Sequence, residues 1–223
     1  MSLPLAPQAV VFDCDGLLVD TEVCWTRAET EIFAAHGHGF GPEQKALVIG
    51  RTLASAGEAM ADYFGRPGAG PELAAELLEL VRRELAGGAE ALPGAVELVK
   101  ACAGALPVAV ASNSPRELLD TALASAGLTD FFPVSFAADE VVHAKPAPDL
   151  YLKACEALGA APGASVAFED SATGIASARA AGLFVAVVPS LPGNRLDHDW
   201  LGGSLADPEP VRWATGLGHD VTL

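Results

Sequence analysis

Two aspartates separated by one residue follow a short apolar run near the start of the chain. The run Val10-Val11-Phe12 leads directly into Asp13-Cys14-Asp15-Gly16. Alternate side chains of an extended chain lie on the same side, so both carboxylates can face one point just past a buried strand. Two like charges this close are unfavourable unless a cation lies between them or one carboxylate is protonated. Either arrangement indicates a site of chemistry.

Three further polar clusters follow apolar runs or precede helix-like segments later in the chain. They are Ser112-Asn113-Ser114, Lys145 just before Pro146, and Glu169-Asp170. Each is weak evidence by itself, because Ser, Asn and Asp are also common at helix caps and turns, and Ser114 is interpreted as a cap. The carboxyl ends of parallel strands meet at one edge of a sheet, where ligands bind. We therefore expect the clusters to meet the aspartate pair there.

Short apolar runs without polar alternation predict the strands that position these groups. Such runs are typical of strands covered on both faces, and they occur at 9–12, 108–111, 133–137, 166–168 and 185–188. Helical segments alternate with them at 94–102, 117–126, 148–158 and 174–181. This alternation predicts an α/β fold with a doubly wound, mostly parallel sheet.

Residues 22–88 interrupt the alternation. They contain helix-like runs at 22–35, 52–64 and 71–86, with turn-forming segments between them and no convincing strand. We predict an all-helical cap domain over 22–88, inserted into a catalytic core formed by 1–21 and 89–223. Because the insert leaves the sheet directly after the aspartate pair, it is expected to cover the site as a lid.

Composition excludes several classes of partner. The formal net charge is −16, from 29 acidic and 13 basic residues, and no basic run occurs, which argues against binding to nucleic acid or an anionic membrane. The four cysteines show neither a CxxC pair nor zinc-ligand spacing, as expected for reduced thiols. No signal-peptide pattern and no apolar stretch of about 20 residues is seen. We predict a cytoplasmic protein, and a monomer because the cap must open and close.

Taken in order, the motifs resemble those of the haloacid dehalogenase superfamily. The resemblance is to members with a helical cap after the first strand, which include sugar-phosphate phosphatases and beta-phosphoglucomutase. The matching features are Asp13-x-Asp15-Gly16 with Thr21, Ser112-Asn113, Lys145-Pro146-x-Pro148-Asp149, and Glu169-Asp170-Ser171 with Gly174. They extend to about residue 189, and they imply a Rossmann-like core.

The resemblance implies a role for each charged residue of the motifs. Asp13 is similar to the nucleophile that attacks phosphorus and forms an aspartyl phosphate. Asp15 is then the general acid and base, which protonates the leaving alkoxide and later deprotonates water. A Mg²⁺ ion is implied, with Asp13, Asp15, Glu169 and Asp170 as its ligands, because a hard cation suits oxygen donors. Lys145 supplies the second positive charge.

The remaining implied roles concern the substrate. The Ser112 hydroxyl and the Asn113 amide are expected to donate hydrogen bonds to the phosphoryl oxygens. Arg51 of the cap is expected to reach the phosphate or its sugar, although an ordinary surface arginine is the alternative. The predicted function is a Mg²⁺-dependent phosphatase acting on a small phosphorylated metabolite, with a sugar phosphate favoured.

Three other functions compete with this one. A phosphomutase of the beta-phosphoglucomutase type has a histidine four residues after the motif threonine, whereas this chain has Trp25 after Thr21. A dehalogenase needs neither Asp15 nor the two acids at 169 and 170. A phosphoryl-accepting receiver domain also combines carboxylates, a hydroxyl and a lysine, but it is shorter, lacks a lid and carries its acceptor on a later strand. Hydrolysis of a phosphate ester is therefore favoured.

Overall fold

The computed structural model describes residues 2–190 and 196–217 and contains a six-stranded sheet in which every pair of neighbours is parallel. The strands are β1 (Ala9–Phe12), β2 (Val108–Ala111), β3 (Ser135–Phe136), β4 (Ser165–Glu169), β5 (Phe184–Val187) and β6 (Trp200–Leu201). Their order across the sheet is β3-β2-β1-β4-β5-β6. This confirms the predicted α/β class and places β1, which precedes the aspartate pair, between β2, which precedes Ser112-Asn113, and β4, which ends at Glu169.

Helices follow most strands and cover both faces of the sheet. They are α1 (Glu22–Ala35), α2 (Pro42–Val48), α3 (Leu53–Tyr63), α4 (Gly70–Leu85), α5 (Ala95–Ala103), α6 (Arg116–Ser125), α7 (Asp149–Leu158), α8 (Ala172–Ala181) and α9 (Pro208–Leu217). Phe12 and Val10 of β1 belong to one hydrophobic cluster, while Val11 belongs to a second cluster on the opposite face. Burial of both faces explains why the strands lack polar alternation.

The segment between β1 and α5 contains four helices. In α4, apolar residues recur every four positions at Leu73, Leu77, Val81 and Leu85, and all four are buried. This spacing places them on one face, which packs against α1 and α3. The same hydrophobic cluster contains Leu77 and Phe12, so burial alone does not separate this segment from the sheet. The division into cap and core stays a prediction.

The two connections between the sheet and the helical segment run side by side. The Asp20 amide donates to the Glu90 carbonyl at 2.9 Å, and the Leu92 amide donates to the Leu18 carbonyl at 2.9 Å. Each connection thus supplies a hydrogen-bond partner for a backbone amide of the other, which would otherwise need water. The helical segment therefore leaves and rejoins the sheet at one place.

Three short or peripheral elements were missed by the sequence analysis. Helix α2 begins at Pro42, which was assigned to a turn, and proline is well suited to the first position of a helix. Strand β6 is a two-residue edge strand paired with β5, and α9 follows it. Helix α8 begins at Ala172, two residues earlier than predicted, because the Ser171 hydroxyl accepts a hydrogen bond from the Gly174 amide and caps it.

Two predictions about the whole chain can be compared with the described residues. All four cysteines are free and buried, in agreement with the prediction of unpaired thiols. Within the described ranges, every helix is too short or too polar to span a bilayer.

Candidate active site

Three acidic residues meet where β1 and β4 end. The two strands pair with Phe12 opposite Phe168, so Asp13, which follows β1, lies beside Glu169 at the end of β4. Asp13, Glu169 and Asp170 are all buried, and each offers an oxygen within 4.8 Å of the other two. The predicted convergence of the early and late acidic motifs is present at the carboxyl edge of the sheet.

Lys145 lies among these carboxylates. Its ammonium is 2.6 Å from Asp13 Oδ1 and 2.6 Å from Glu169 Oε1, and only 3% of its side chain is exposed. Burial lowers the pKa of Lys145, but the two carboxylates outweigh burial and raise the pKa above its ordinary value. Lys145 is therefore a permanent cation at this edge.

Both carboxylate oxygens of Glu169 already accept hydrogen bonds from neighbouring residues. Its Oε1 accepts from Lys145 and, at 2.7 Å, from the Tyr151 hydroxyl, while Oε2 accepts from the amides of Asp170 and Ser171 and from the Ser171 hydroxyl. A Cβ on Gly174 would lie 1.8 Å from Glu169 Oε1, so only glycine leaves room for this carboxylate. Glu169 thus holds Lys145 in position.

Asp170 differs from Glu169 because one of its oxygens is unsatisfied. Within the described ranges, Asp170 Oδ1 is buried and has no hydrogen-bond partner. Burial, reinforced by the charges of Asp13 and Glu169, raises the pKa of Asp170 well above its usual range. Burial likewise raises the pKa of Asp13 to about 7, with Lys145 opposing the shift. A buried, unpaired carboxylate is costly, and oxygen donors suit Mg²⁺, so these residues fit a hard divalent cation.

Asp15 lines the same pocket, but its carboxylate lies outside the acidic cluster. Its Oδ1 accepts from the Thr21 hydroxyl at 2.7 Å, and its Oδ2 accepts from the hydroxyls of Ser112 and Ser114, both at 2.9 Å. Both oxygens accept hydrogen bonds from hydroxyl groups, and the role of Asp15 as a metal ligand stays a prediction. The extended alternation assumed for the two aspartates ends with β1, and the chain turns at Gly16, whose φ is +77°.

The polar side chains of the loop after β2 form hydrogen bonds with other loops of the protein. Ser114 does not cap α6: the N-cap position is Pro115, no side chain caps the helix, and the Ser114 hydroxyl donates to Asp15. Asn113 donates from Nδ2 to the carbonyls of Gly50 and Lys145, both at 3.1 Å, and accepts from the Lys145 amide at 2.9 Å. Its side-chain amide is therefore directed at the backbone of two other loops, and its contact with a phosphoryl group stays a prediction.

The helical segment forms the other wall of the pocket. Arg51, which is exposed, lines the pocket. Trp25 of α1 also lines it. This wall also contains an ion pair that no sequence pattern indicated, between Lys45 of α2 and the buried Glu29 of α1. The sequence analysis overlooked Tyr151, although a tyrosine on the apolar face of a predicted helix signals a need for a hydroxyl partner. The pocket thus lies between the sheet edge and the helices.

Comparisons with known proteins identify the family and the fold of this chain. Residues 7–182 match the family model of the haloacid dehalogenase-like hydrolases. Protein CbbY of Rhodobacter capsulatus is 39% identical over 195 residues, which cover 82% of this chain and 86% of that protein. Fructose-1-phosphate phosphatase YqaB of Escherichia coli strain K12 is 34% identical over 174 residues, covering 78% of this chain and 92% of that protein. The crystal structure of CbbY from Rhodobacter sphaeroides in complex with phosphate superposes with a TM-score of 0.78 at 27% identity, covering 90% and 96% of the two chains.

Proposed function

This chain belongs to the haloacid dehalogenase-like hydrolase family, and from that premise we propose that it is a Mg²⁺-dependent phosphatase. Its substrate is a small phosphorylated metabolite, a sugar phosphate, and the reaction passes through a phosphoryl group carried on Asp13. The observation that supports this proposal best is the meeting of Asp13, Asp170 and Lys145 at the sheet edge, with Asp170 Oδ1 buried and unpaired among the described residues.

Asp13 is suited to act as the nucleophile because only one of its oxygens is held. Lys145 binds Oδ1, while Oδ2 accepts no hydrogen bond from any residue in 2–190 or 196–217. In the first step, Oδ2 attacks phosphorus and the bond between phosphorus and the ester oxygen breaks. Asp15 donates a proton to the departing alkoxide, which leaves as an alcohol.

The second step regenerates the enzyme. Asp15 takes a proton from water, the water oxygen attacks phosphorus, and the bond between phosphorus and Asp13 Oδ2 breaks to release inorganic phosphate. Serine and threonine hydroxyls can both donate and accept hydrogen bonds. The hydroxyls of Thr21, Ser112 and Ser114 can therefore hold Asp15 both with and without its proton.

The cation has a defined place in this proposal. Asp13 and Asp170 would hold Mg²⁺, with Glu169 close by but already saturated by other donors. When bound, Mg²⁺ supplies positive charge to the phosphoryl oxygens. Lys145 favours the ionised form of the Asp13 carboxylate and orients it, since its ammonium lies 2.6 Å from Oδ1.

The proposal assigns one role to each part of the chain. Residues 1–21 and 89–223 form the catalytic core, and 22–88 act as a cap that closes over the substrate and excludes water. Arg51 lines the pocket from the cap side and is suited to contact an anionic substrate. We further propose that the enzyme acts as a monomer in the cytoplasm.

Trp25 favours hydrolysis over the phosphomutase alternative. It lines the pocket at the position where the mutases resembled by the sequence carry a histidine. An indole cannot exchange a proton at neutral pH, whereas an imidazole can.

The function is tested by incubating the protein with p-nitrophenyl phosphate and Mg²⁺, with and without EDTA. Steady turnover that EDTA abolishes supports the phosphatase, whereas a single stoichiometric phosphorylation supports the receiver domain. Transfer of phosphate to an added sugar phosphate in place of water would support the mutase. A panel of phosphorylated metabolites, compared by kcat/KM, then identifies the preferred ester.

The substitution Asp13→Asn tests the nucleophile. An amide cannot form the aspartyl phosphate, so we expect turnover to fall by at least about 10³-fold while the melting temperature changes little. The matched control is Asp62→Asn, which neutralises an exposed aspartate on α3 outside the pocket and should retain full activity. Near-normal activity of the Asp13 variant would remove the proposed nucleophile.

A further inference from the structure

Tyr151 is a buried tyrosine that the reaction steps above do not use. It lies in the first turn of α7 and is fully buried. Its hydroxyl donates to Glu169 Oε1 at 2.7 Å, and the Lys145 ammonium lies over its ring, 5.0 Å from the ring centroid. Burial raises the pKa of the Tyr151 hydroxyl well above its usual range, so the hydroxyl keeps its proton and acts as a donor. One side chain thus contacts both members of the Lys145–Glu169 ion pair.

The two oxygens of Glu169 are held by donors of different kinds. Oε2 accepts from the backbone and hydroxyl donors of residues 170 and 171, but a carboxylate held at one oxygen can still turn about that oxygen. Among the described residues, Oε1 accepts from the Lys145 ammonium and the Tyr151 hydroxyl. Lysine has a flexible four-carbon stem, whereas tyrosine is a rigid side chain with two torsion angles. Tyr151 is therefore the fixed donor that determines where Oε1 lies.

The position of Oε1 in turn determines the position of the ammonium. Lys145 Nζ lies 2.6 Å from Glu169 Oε1 and 2.6 Å from Asp13 Oδ1, so displacing the first acceptor moves the ammonium relative to the second. The contacts form a continuous series that starts in the backbone of α7 and passes through Tyr151, Glu169 and Lys145 to Asp13. The orientation of the Asp13 carboxylate therefore depends on a hydroxyl that does not line the pocket.

We infer that Tyr151 is a positioning residue for the reaction: its hydroxyl fixes the Glu169 carboxylate, which holds the Lys145 ammonium beside Asp13 Oδ1. Loss of the hydroxyl leaves Asp13, Asp15 and the pocket lining in place but lets the ammonium move. A small misplacement of groups around a nucleophile slows the chemical step more than it weakens substrate binding. The inference rests on the proposed phosphatase function and adds a residue on which that function depends.

The test is Tyr151→Phe, which removes the hydroxyl and keeps the ring against Lys145. With p-nitrophenyl phosphate and saturating Mg²⁺, we expect kcat to fall by about fivefold or more, while KM changes by less than about twofold. The melting temperature should fall by about 3–6 °C, because a buried charged acceptor loses one of its donors. Steady-state kinetics and thermal denaturation measure the two effects.

The matched control is Ser165→Ala, which removes another buried hydroxyl. Ser165 lies at the opposite end of β4 from Glu169, and its hydroxyl donates to the Ala161 carbonyl at 2.9 Å. This variant should lose about 2–4 °C of melting temperature and keep kcat within about twofold of the wild type. A general loss of stability is thereby separated from a loss of positioning.

A double-mutant cycle tests whether Tyr151 acts through Glu169. In a Glu169→Ala background the hydroxyl has lost its acceptor, so Tyr151→Phe should lower kcat by less than about twofold further and should not lower the melting temperature. If Glu169→Ala does not give a cooperative thermal transition, Gly174→Ala provides the background, because a Cβ there displaces the same carboxylate. The melting temperatures are measured in EDTA, so that this part of the cycle needs neither metal nor turnover.

The outcomes separate this inference from the function on which it rests. A Tyr151→Phe variant whose kcat equals that of Ser165→Ala overturns the inference and keeps the phosphatase. Equal effects of Tyr151→Phe with and without the Glu169 carboxylate also overturn it, since they show that the hydroxyl does not act through Glu169. Absence of Mg²⁺-dependent turnover by the wild type overturns the phosphatase function and the catalytic part of this inference, and the melting temperatures then decide whether Tyr151 holds Glu169.

Discussion

The Glu169 carboxylate contributes to the site by holding neighbouring residues in position. Five hydrogen bonds use both of its oxygens, and one of them fixes the Lys145 ammonium beside Asp13. The space for this carboxylate depends on the absence of a side chain at Gly174, where a Cβ would meet Glu169 Oε1 at 1.8 Å. A residue with no functional group of its own therefore affects the position of the Lys145 ammonium.

The first prediction concerns Gly174→Ala. The new methyl group must displace the Glu169 carboxylate, which breaks its bonds to Lys145 and Tyr151 and moves the ammonium away from Asp13. We expect kcat to fall by roughly 10- to 100-fold and the protein to lose about 1–3 kcal/mol of stability. Steady-state kinetics and thermal denaturation measure the two effects.

The control for this variant is Gly216→Ala. Gly216 also lies in a helix, α9, but a Cβ there meets none of the described residues within 4 Å. Alanine should stabilise that helix slightly, by about 0.5–1 kcal/mol, and leave kcat unchanged. Equal kinetics for the two alanine variants would show that Glu169 does not position Lys145.

At the residue scale, sequence reasoning located the charged groups better than it located their partners. Asp13, Lys145, Glu169 and Asp170 were expected to meet because parallel strands end at one edge, and the structure brings them together. The hydroxyl of Ser114 was assigned to a helix cap because a local backbone amide is its usual partner. Its actual partner, Asp15, is 99 positions away, and no local pattern reveals such a contact.

The loop that follows β2 connects two other loops of the pocket. Asn113 bonds the Gly50 carbonyl, which belongs to the segment between α2 and α3, and both backbone groups of Lys145. One amide side chain thus joins the helical segment to the lysine loop. The position of the helices over the site and the position of Lys145 depend on the same residue.

The second prediction concerns Asn113→Ala. Three hydrogen bonds disappear at once, each contributing about 0.5–1.5 kcal/mol, so we expect the free energy of unfolding to fall by about 2–3 kcal/mol. We also expect kcat/KM to decrease, because Lys145 loses its backbone support. Gln44→Ala is the control, since its amide donates to the Tyr63 hydroxyl on the exposed surface of the helical segment. Indistinguishable denaturation midpoints for the two variants would contradict the proposed junction.

At the element scale, the accuracy of the prediction followed the degree of burial. Strands β1 and β2 have the predicted bounds. Both are fully buried, so the apolar run in the sequence coincides with the strand. Strand β6 could not be found, because two residues paired at an edge have no periodicity. Helix α2 was missed because seven residues beginning at Pro42 give too short a pattern to separate from the preceding turn.

The whole molecule carries several buried acids that are more easily protonated than usual. Burial raises the pKa of Asp13 and of Glu29 to about 7, and it also raises the pKa of Asp170 well above its usual range. Between about pH 4.5 and pH 7 the folded chain therefore binds more protons than the unfolded chain. The free energy of unfolding must fall as the pH rises through this interval.

The third prediction combines this linkage with the cation. Without metal, we expect the melting temperature to fall by roughly 5 °C between pH 5.5 and pH 8. Mg²⁺ competes with protons for Asp13 and Asp170. Saturating Mg²⁺ should therefore raise the melting temperature by roughly 5–10 °C at pH 8, and by less at pH 5.5. Scanning calorimetry at both pH values, with Mg²⁺ or EDTA, measures the two effects.

Asp170→Asn is the decisive variant for the metal. It should lose most of the Mg²⁺-dependent increment and should also be less sensitive to pH, because one buried acid is gone. Asp62→Asn on the exposed face of α3 should behave as the wild type. A Mg²⁺ increment of equal size in Asp170→Asn would place the cation elsewhere.

The paired connections at 18–20 and 90–92 have a consequence for the evolution of such chains. Because the chain departs and returns through two hydrogen-bonded neighbours, a tight hairpin could close the gap if everything between them were removed. The chain would stay continuous through the sheet edge that carries the acidic residues. If residues 22–88 are the separate cap that we propose, we expect that the intervening helices can be exchanged for others while the sheet edge keeps its acids.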